Sequence, residues 1–155
     1  MKKVLLVLIT LTLVASLAFA LASPVNIVLN TVIAPVSSLT INGGNSTVVV
    51  TIGQTTTIPY LYSGNELVNI TITSAGGMNL VHTEVPEATI PYTMEFDYDG
   101  AGPQAYAAVS NGVAAELVDT HGVYNLSGNF TVTVVDGFYL AGEYADTITF
   151  SVTSR

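Results

Sequence analysis

The sequence contains no cysteine and no tryptophan, and lysine and arginine together occur only three times in 155 residues. The missing cysteine excludes disulfides, iron–sulfur clusters and thiol nucleophiles, so the protein must be stable through packing alone. Lys2 and Lys3 lie at the extreme N-terminus, which leaves Arg155 as the one cation after them. The absence of any later lysine excludes Schiff-base catalysis and P-loop phosphate binding in the rest of the chain.

Residues 1–22 have the pattern of a cleaved signal peptide. A basic start is followed by an apolar stretch from Val4 to about Leu17, and small residues then allow cleavage after Ala20 or Ala22. The stretch is short for a membrane span, and no comparable one follows it. We therefore expect the mature chain to be exported and not inserted in a membrane.

The mature chain is strongly acidic. Without the leader, one arginine stands against eleven Asp and Glu residues, a formal net charge of −10. Nucleic acids and anionic membranes are bound through clustered Lys and Arg, which displace counterions. The charge therefore excludes most proteins of both binding classes, and we expect no nucleic-acid partner.

Apolar and polar residues alternate with a period of two from Val25 onward, and no window shows a sustained helical period. The clearest strand is predicted at 90–99, with further alternating rows at 68–72, 130–134 and 144–152. Weaker strands are expected near 38–41, 48–52, 57–62, 79–82, 104–109 and 114–118. Gly- and Asn-rich turns separate them. The pattern predicts an all-β protein with an antiparallel immunoglobulin-like β-sandwich over residues 37–155.

A β-forming segment precedes this domain, in residues 23–36. One of its faces carries Ile27, Leu29, Thr31 and Ile33, and Asn26 and Asn30 lie on the other face. An unpaired apolar strand in an exported protein is an aggregation hazard. We therefore expect this N-terminal extension to pair with another strand.

Several short stretches resemble the colonisation-factor major pilins of the alternate chaperone–usher pathway. The extension, with Asn26-Ile27-x-Leu29-x-x-x-Ile33-x-Pro35-Val36, is similar to the N-terminal extension of these pilins. The segment Ala141-Gly142-x-Tyr144-x-x-x-Ile148-x-Phe150 resembles their last strand, and Ala88-Thr89-Ile90-Pro91 resembles their middle. The chain differs at Ala34, where the family often has aspartate. Together these stretches cover about a third of the mature chain.

The resemblance implies a pilin-like sandwich that assembles by donor-strand exchange, a form of β-strand addition. In that process the extension of one subunit fills an apolar groove of the next. Ile27, Leu29, Thr31 and Ile33 would enter the groove. The implied partners are further copies in a fibre, a periplasmic chaperone and an usher. The implied route leads through the periplasm to the cell surface, a fimbrium or the extracellular space, with a structural or adhesive role.

Three carboxylates, which we call the acidic trio, lie at every second position of the strand predicted at 90–99: Glu95, Asp97 and Asp99. Oxygen ligands grouped in this way are a candidate Ca²⁺ site. The trio lacks the distal bidentate Glu of a calcium loop, so solvation of the exposed face is the favoured interpretation. We expect no cofactor.

Two other functions remain open at this stage. The first is a monomeric, secreted immunoglobulin-like binding domain, in which the first strand completes the chain's own sandwich and the ligand is unknown. The second, more remote, is an exported hydrolase that uses Asp119 and His121 with one of many serines. The sequence has no Gly-x-Ser-x-Gly turn, so we expect a protein that is not an enzyme.

Overall fold

The computed structural model describes residues 28–100, 106–117 and 124–155. The chain divides into two units, Met1–Ile33 and Ala34–Arg155. In the first unit, the described residues 28–33 form neither helix nor strand, and all of them are exposed. Every strand of the described residues therefore belongs to the second unit.

The second unit is built from antiparallel strands. Ten strands are found among the described residues: β1 (Ser37–Ile41), β2 (Thr55–Gly64), β3 (Val68–Ser74), β4 (Asn79–His82), β5 (Thr89–Phe96), β6 (Ala107–Ala108), β7 (Ala114–Leu117), β8 (Tyr124–Val134), β9 (Tyr144–Ala145) and β10 (Ile148–Ser154). One short 3₁₀ turn, Asn42–Gly44, follows β1. No helix in the described part of the chain has the length and apolar character needed to cross a membrane.

The strands form two sheets. The larger has the order β1-β2-β8-β5-β4-β9, with β6 also paired to β5, and the smaller has the order β10-β3-β7. An immunoglobulin domain places strands A, B, E and D on one sheet and C, F and G on the other. The larger sheet reproduces the order A, B, E and D with β1, β2, β8 and β5. In the smaller sheet, β3 and β10 lie at the positions of C and F. The predicted antiparallel immunoglobulin-like sandwich is confirmed.

Strict alternation along the strands builds the core. In β5, the residues Ile90, Tyr92, Met94 and Phe96 are buried, and the residues between them are exposed. β3 contributes three buried aliphatics, which face the larger sheet. Fully burying such a side chain contributes about 1.5–3 kcal/mol, so packing stabilises the fold without disulfides.

The Asp146 carboxylate connects the turn after β3 with the segment before β10, at the end of the sheet where β3 ends and β10 begins. Its Oδ2 accepts hydrogen bonds from the Ser74 hydroxyl at 2.5 Å and the Tyr92 hydroxyl at 2.6 Å. Its Oδ1 accepts from the backbone N–H groups of Gly76 and Thr147, both at 2.7 Å. The predicted alternating row at 144–152 is found as two strands, because the chain passes at Asp146 from β9 in the larger sheet to β10 in the smaller.

Arg155 is held against the smaller sheet. Its Nη1 lies 2.7 Å from Oε1 of Glu116 on β7, and its backbone N–H donates to the carbonyl of Leu67 at 3.0 Å. The end of β10 is thereby fixed close to the turn between β2 and β3.

Candidate functional site

β10 has an open edge. It pairs with β3 along its whole length, from Ile148↔Ser74 to Ser154↔Val68, and no described strand pairs with its other side. This is the position that strand G occupies in a complete immunoglobulin sandwich. The backbone N–H and C=O groups along such an edge are a template for an added strand.

The side chains next to the open edge are apolar and only half-buried. Ile148, Phe150 and Val152 point inward from β10 and pack against the core, and Thr149 and Ser151 are exposed. The ring of Phe150 lies 5.2 Å from that of Phe130 on β8, measured between centroids. We call the surface formed by the three inward-pointing residues of β10 the acceptor groove.

A second extended segment also has no strand partner among the described residues. After β1 the chain turns through Asn42, Gly43 and Gly44 with φ values of 50°, 61° and 86°. Glycine adopts such values without strain, and asparagine adopts them more readily than most other residues. In the segment that follows, Val48 and Val50 are half-buried against the core and Val49 is 84% exposed. This alternation is that of a β-strand, but the segment belongs to neither sheet. A strand was predicted near 48–52, and only its alternation is found.

The described part of the extension, residues 28–36, exposes its apolar residues. Leu29 is 90% exposed and Ile33 is 77% exposed, and Thr31 and Asn30 are exposed as well. Val28 and Val32, on the opposite face, are similarly exposed. Ile27, the remaining predicted groove-facing residue, lies outside the described residues. The role of these four residues as a donor strand therefore stays a prediction.

The root of the extension is fixed by Asn65, in the turn after β2. The Asn65 side chain accepts a hydrogen bond from the Val36 N–H at 2.7 Å and donates one to the Ala34 carbonyl at 3.0 Å. Its own backbone N–H donates to the Val36 carbonyl at 3.0 Å. These contacts continue the β1–β2 ladder beyond its first pair, Ser37↔Gly64. Nothing in the sequence pattern singled out Asn65, because its role depends on the pairing of β1 with β2.

The structure changes the interpretation of the acidic trio. Glu95 and Asp99 are exposed, but Asp97 is 1% exposed, so the expectation that all three face water was wrong. The reason is that β5 ends at Phe96. The backbone N–H of Asp97 then donates to the Asn129 carbonyl, and the Asp97 carbonyl accepts from the Tyr60 hydroxyl. The described residues contain no cluster of three or more His, Cys, Asp or Glu residues placed to hold a metal ion.

Buried tyrosines have perturbed acidity. Burial, together with the nearby charge of Asp97, raises the pKa of Tyr60 above its usual value. Burial and the hydrogen bond to Asp146 raise the pKa of Tyr92 in the same direction. Both hydroxyls donate hydrogen bonds within the domain. These tyrosines therefore serve as core residues with satisfied polar ends.

His82 is a structural residue at the end of β4. Its ring is buried, and Nδ1 accepts hydrogen bonds from the backbone N–H groups of Glu84 and Val85 at 3.0 and 3.1 Å. Nε2 lies 3.2 Å from the Ala141 carbonyl. Asp119 and His121, named above for the hydrolase hypothesis, lie outside the described residues.

Comparison with protein-family models gives no match, and comparison with curated proteins gives none either. Among solved structures, the chain is similar to a chain of the structure described as "Chaperone-tip adhesin complex is vital for synergistic activation of CFA/I fimbriae biogenesis". The two are 15% identical with a TM-score of 0.50, over 65% of this chain and 34% of that one. The chain thus spans about a third of that neighbour. The likeness concerns the fold, which is of the fimbrial type, and does not single out the major pilins.

Proposed function

We propose that the protein is a non-enzymatic subunit of a surface fibre, assembled by donor-strand exchange between copies. The observation that carries this proposal is the open edge of β10 with its half-buried apolar side chains. A strand added there would pair with the β10 backbone and cover Ile148, Phe150 and Val152. The likeness to a fimbrial-type fold supports the same function.

The extension has the chemistry of the missing strand. Its face with Leu29, Thr31 and Ile33 would lie on the acceptor groove, because alternate residues of a strand point the same way. Burying Leu29 and Ile33, now largely exposed, contributes about 1.5–3 kcal/mol each. A ladder of backbone hydrogen bonds adds to this. Since each copy has one donor and one acceptor, the contact is heterologous, and repetition of it gives a fibre.

Export through the periplasm, with a chaperone that covers the groove before assembly and an usher that receives the subunit, belongs to the same proposal. A chaperone is needed because an open apolar edge promotes aggregation. A structural or adhesive role at the cell surface follows from fibre formation.

The test compares the two faces of the extension. Leu29→Asp and Ile33→Asp place a charge in a dry groove, which costs several kcal/mol, and should abolish assembly. Asn30→Asp is the matched control, since Asn30 points away from the groove in the same strand. The measurement is the ladder of multimers on a gel run without boiling.

Equal loss of multimers from both faces would mean that the strand is buried on two sides, as in a self-completed sandwich. If the variants of both faces form multimers as the unchanged chain does, the extension takes no part in assembly. Either result would refute donor-strand exchange and leave the monomeric binding domain as the better hypothesis.

A further inference from the structure

The extension is attached to the domain by a rigid root, which we define as residues 34–36. Asn65 forms three hydrogen bonds to Ala34 and Val36, the two residues that flank Pro35. The ring of Pro35 fixes its own φ, and a residue before proline is restricted to extended conformations. The root is therefore held in one direction by both local stiffness and side-chain contacts.

Close packing adds to this restraint. A Cβ placed on Gly64 would lie 2.8 Å from the Val36 carbonyl oxygen, so this glycine lets the root approach the end of β2. Ser37, the next residue, pairs with Gly64. Residues 34–36 consequently continue the line of β1 away from its paired part.

The root lies at the same end of the sandwich as the last residue of β10. Asn65 holds Val36, and two residues later Leu67 accepts the hydrogen bond from the Arg155 N–H. For the extension to occupy the acceptor groove of its own chain, it would have to reverse direction within the root. It would then run toward the Ser154 end, as β10 does, and so form a parallel pair.

Both requirements are unfavourable. The reversal needs the Asn65 hydrogen bonds to break and the Ala34-Pro35 pair to leave its extended form. A parallel pair is also slightly less stable per residue than an antiparallel one. A second copy can enter the groove in the antiparallel direction with its own root intact.

We propose that Asn65 and Pro35 act as positioning residues that prevent the extension from completing its own sandwich and direct it into a second copy of the chain. This inference rests on the proposed donor-strand exchange and specifies the partner of the groove. Loosening the root should convert multimers into self-completed monomers.

The experiment uses the full mature chain and measures the share of folded monomer against multimer, on gels without boiling and by size exclusion. Asn65→Ala removes the two side-chain hydrogen bonds to the root and should raise the monomer-to-multimer ratio about 30-fold, the factor by which an equilibrium moves when two net hydrogen bonds of about 1 kcal/mol each are lost. Pro35→Gly should act in the same direction, and it removes no hydrogen bond because proline has no N–H. It carries the test if Asn65→Ala does not fold.

Asn125→Ala is the matched control. Asn125 accepts a hydrogen bond from the Ser63 hydroxyl at 2.7 Å at the same end of the sandwich, and this bond joins β8 to β2 and not to the root. A purely structural role for Asn65 would lower the melting temperature in both asparagine variants and leave the monomer share unchanged in both. That result, or an unchanged share in Pro35→Gly, would overturn the inference.

Leu29→Asp separates this inference from the proposal beneath it. If Leu29→Asp abolishes multimers but the root variants leave the monomer share unchanged, the groove proposal stands and the role of the root is refuted. If Leu29→Asp leaves the multimers intact, donor-strand exchange itself is refuted. Adding Leu29→Asp to Asn65→Ala should remove the extra folded monomer, because that monomer depends on its own donor strand.

Discussion

Removing the extension gives the most direct measure of how much a donor strand in the acceptor groove stabilises the domain. A chain that starts at Ala34 keeps the second unit whole but has no donor strand. On the side of the domain, a donor strand would cover the part of Ile148, Phe150 and Val152 that is still exposed. Covering these half-buried side chains should stabilise the domain by about half the full burial value of 1.5–3 kcal/mol each, or about 2–5 kcal/mol together. We therefore expect the shortened domain to stay soluble only with a chaperone or a donor peptide.

The assay is thermal unfolding with a synthetic peptide of residues 25–33. A ligand at 100 times its Kd stabilises the folded state by about 2.7 kcal/mol. In a domain of this size that corresponds to a rise in Tm on the order of 10 °C. The same peptide with Leu29→Asp should give no rise. A shortened domain that is a stable monomer unaided, with a Tm that the peptide does not change, would show that the open edge of β10 is not an acceptor.

Three further predictions concern the domain itself. Asp146→Asn should lower the free energy of unfolding in urea by about 2–4 kcal/mol, because an amide replaces a carboxylate that accepts hydrogen bonds from Ser74 and Tyr92. An unchanged midpoint of unfolding would contradict this role of Asp146. Tyr60 and Tyr92 keep their protons in the folded state above pH ~10, where unfolded tyrosines ionise, so stability should fall with rising pH by about 1.4 kcal/mol per unit for each residue. Denaturant titrations with constant stability from pH 9 to pH ~11.5 would refute this. Millimolar Ca²⁺ should raise the Tm no more than Mg²⁺ does, and a chelator-reversible rise specific to Ca²⁺ would establish the acidic trio as ligands.

Period-two alternation predicted most of the strands because it directly reflects which face of a strand is buried. The predicted strand at 79–82 coincides with β4, and the one at 38–41 differs from β1 by one residue. The strand predicted at 114–118 contains β7, and its last residue lies outside the described residues. Alternation could not locate the end of β5. Asp97 looks like an exposed residue in the pattern, but the strand stops one residue earlier, and its backbone is held by Asn129 and Tyr60.

The open edge itself could not be predicted from local patterns. Ile148, Phe150 and Val152 show the same alternation as the fully buried rows. The order of strands in the two sheets is needed to see that β10 has one neighbour among the described strands. The roles of Asn65 and Asp146 could not be predicted from the sequence for a similar reason. Each acts through hydrogen bonds to residues that are distant in sequence or brought close by strand pairing.

The place of the one later cation, Arg155 directly after β10, has a practical consequence for proteolysis. Trypsin cuts after lysine and arginine, and the sequence has neither between Lys3 and Arg155, where the single arginine closes β10. Folded or unfolded, the region between these two residues offers trypsin no site. Reagents that couple to lysine amines likewise have no side chain to modify there. Mapping this protein by mass spectrometry therefore requires a protease that cuts at aromatic or acidic residues, of which the chain has many.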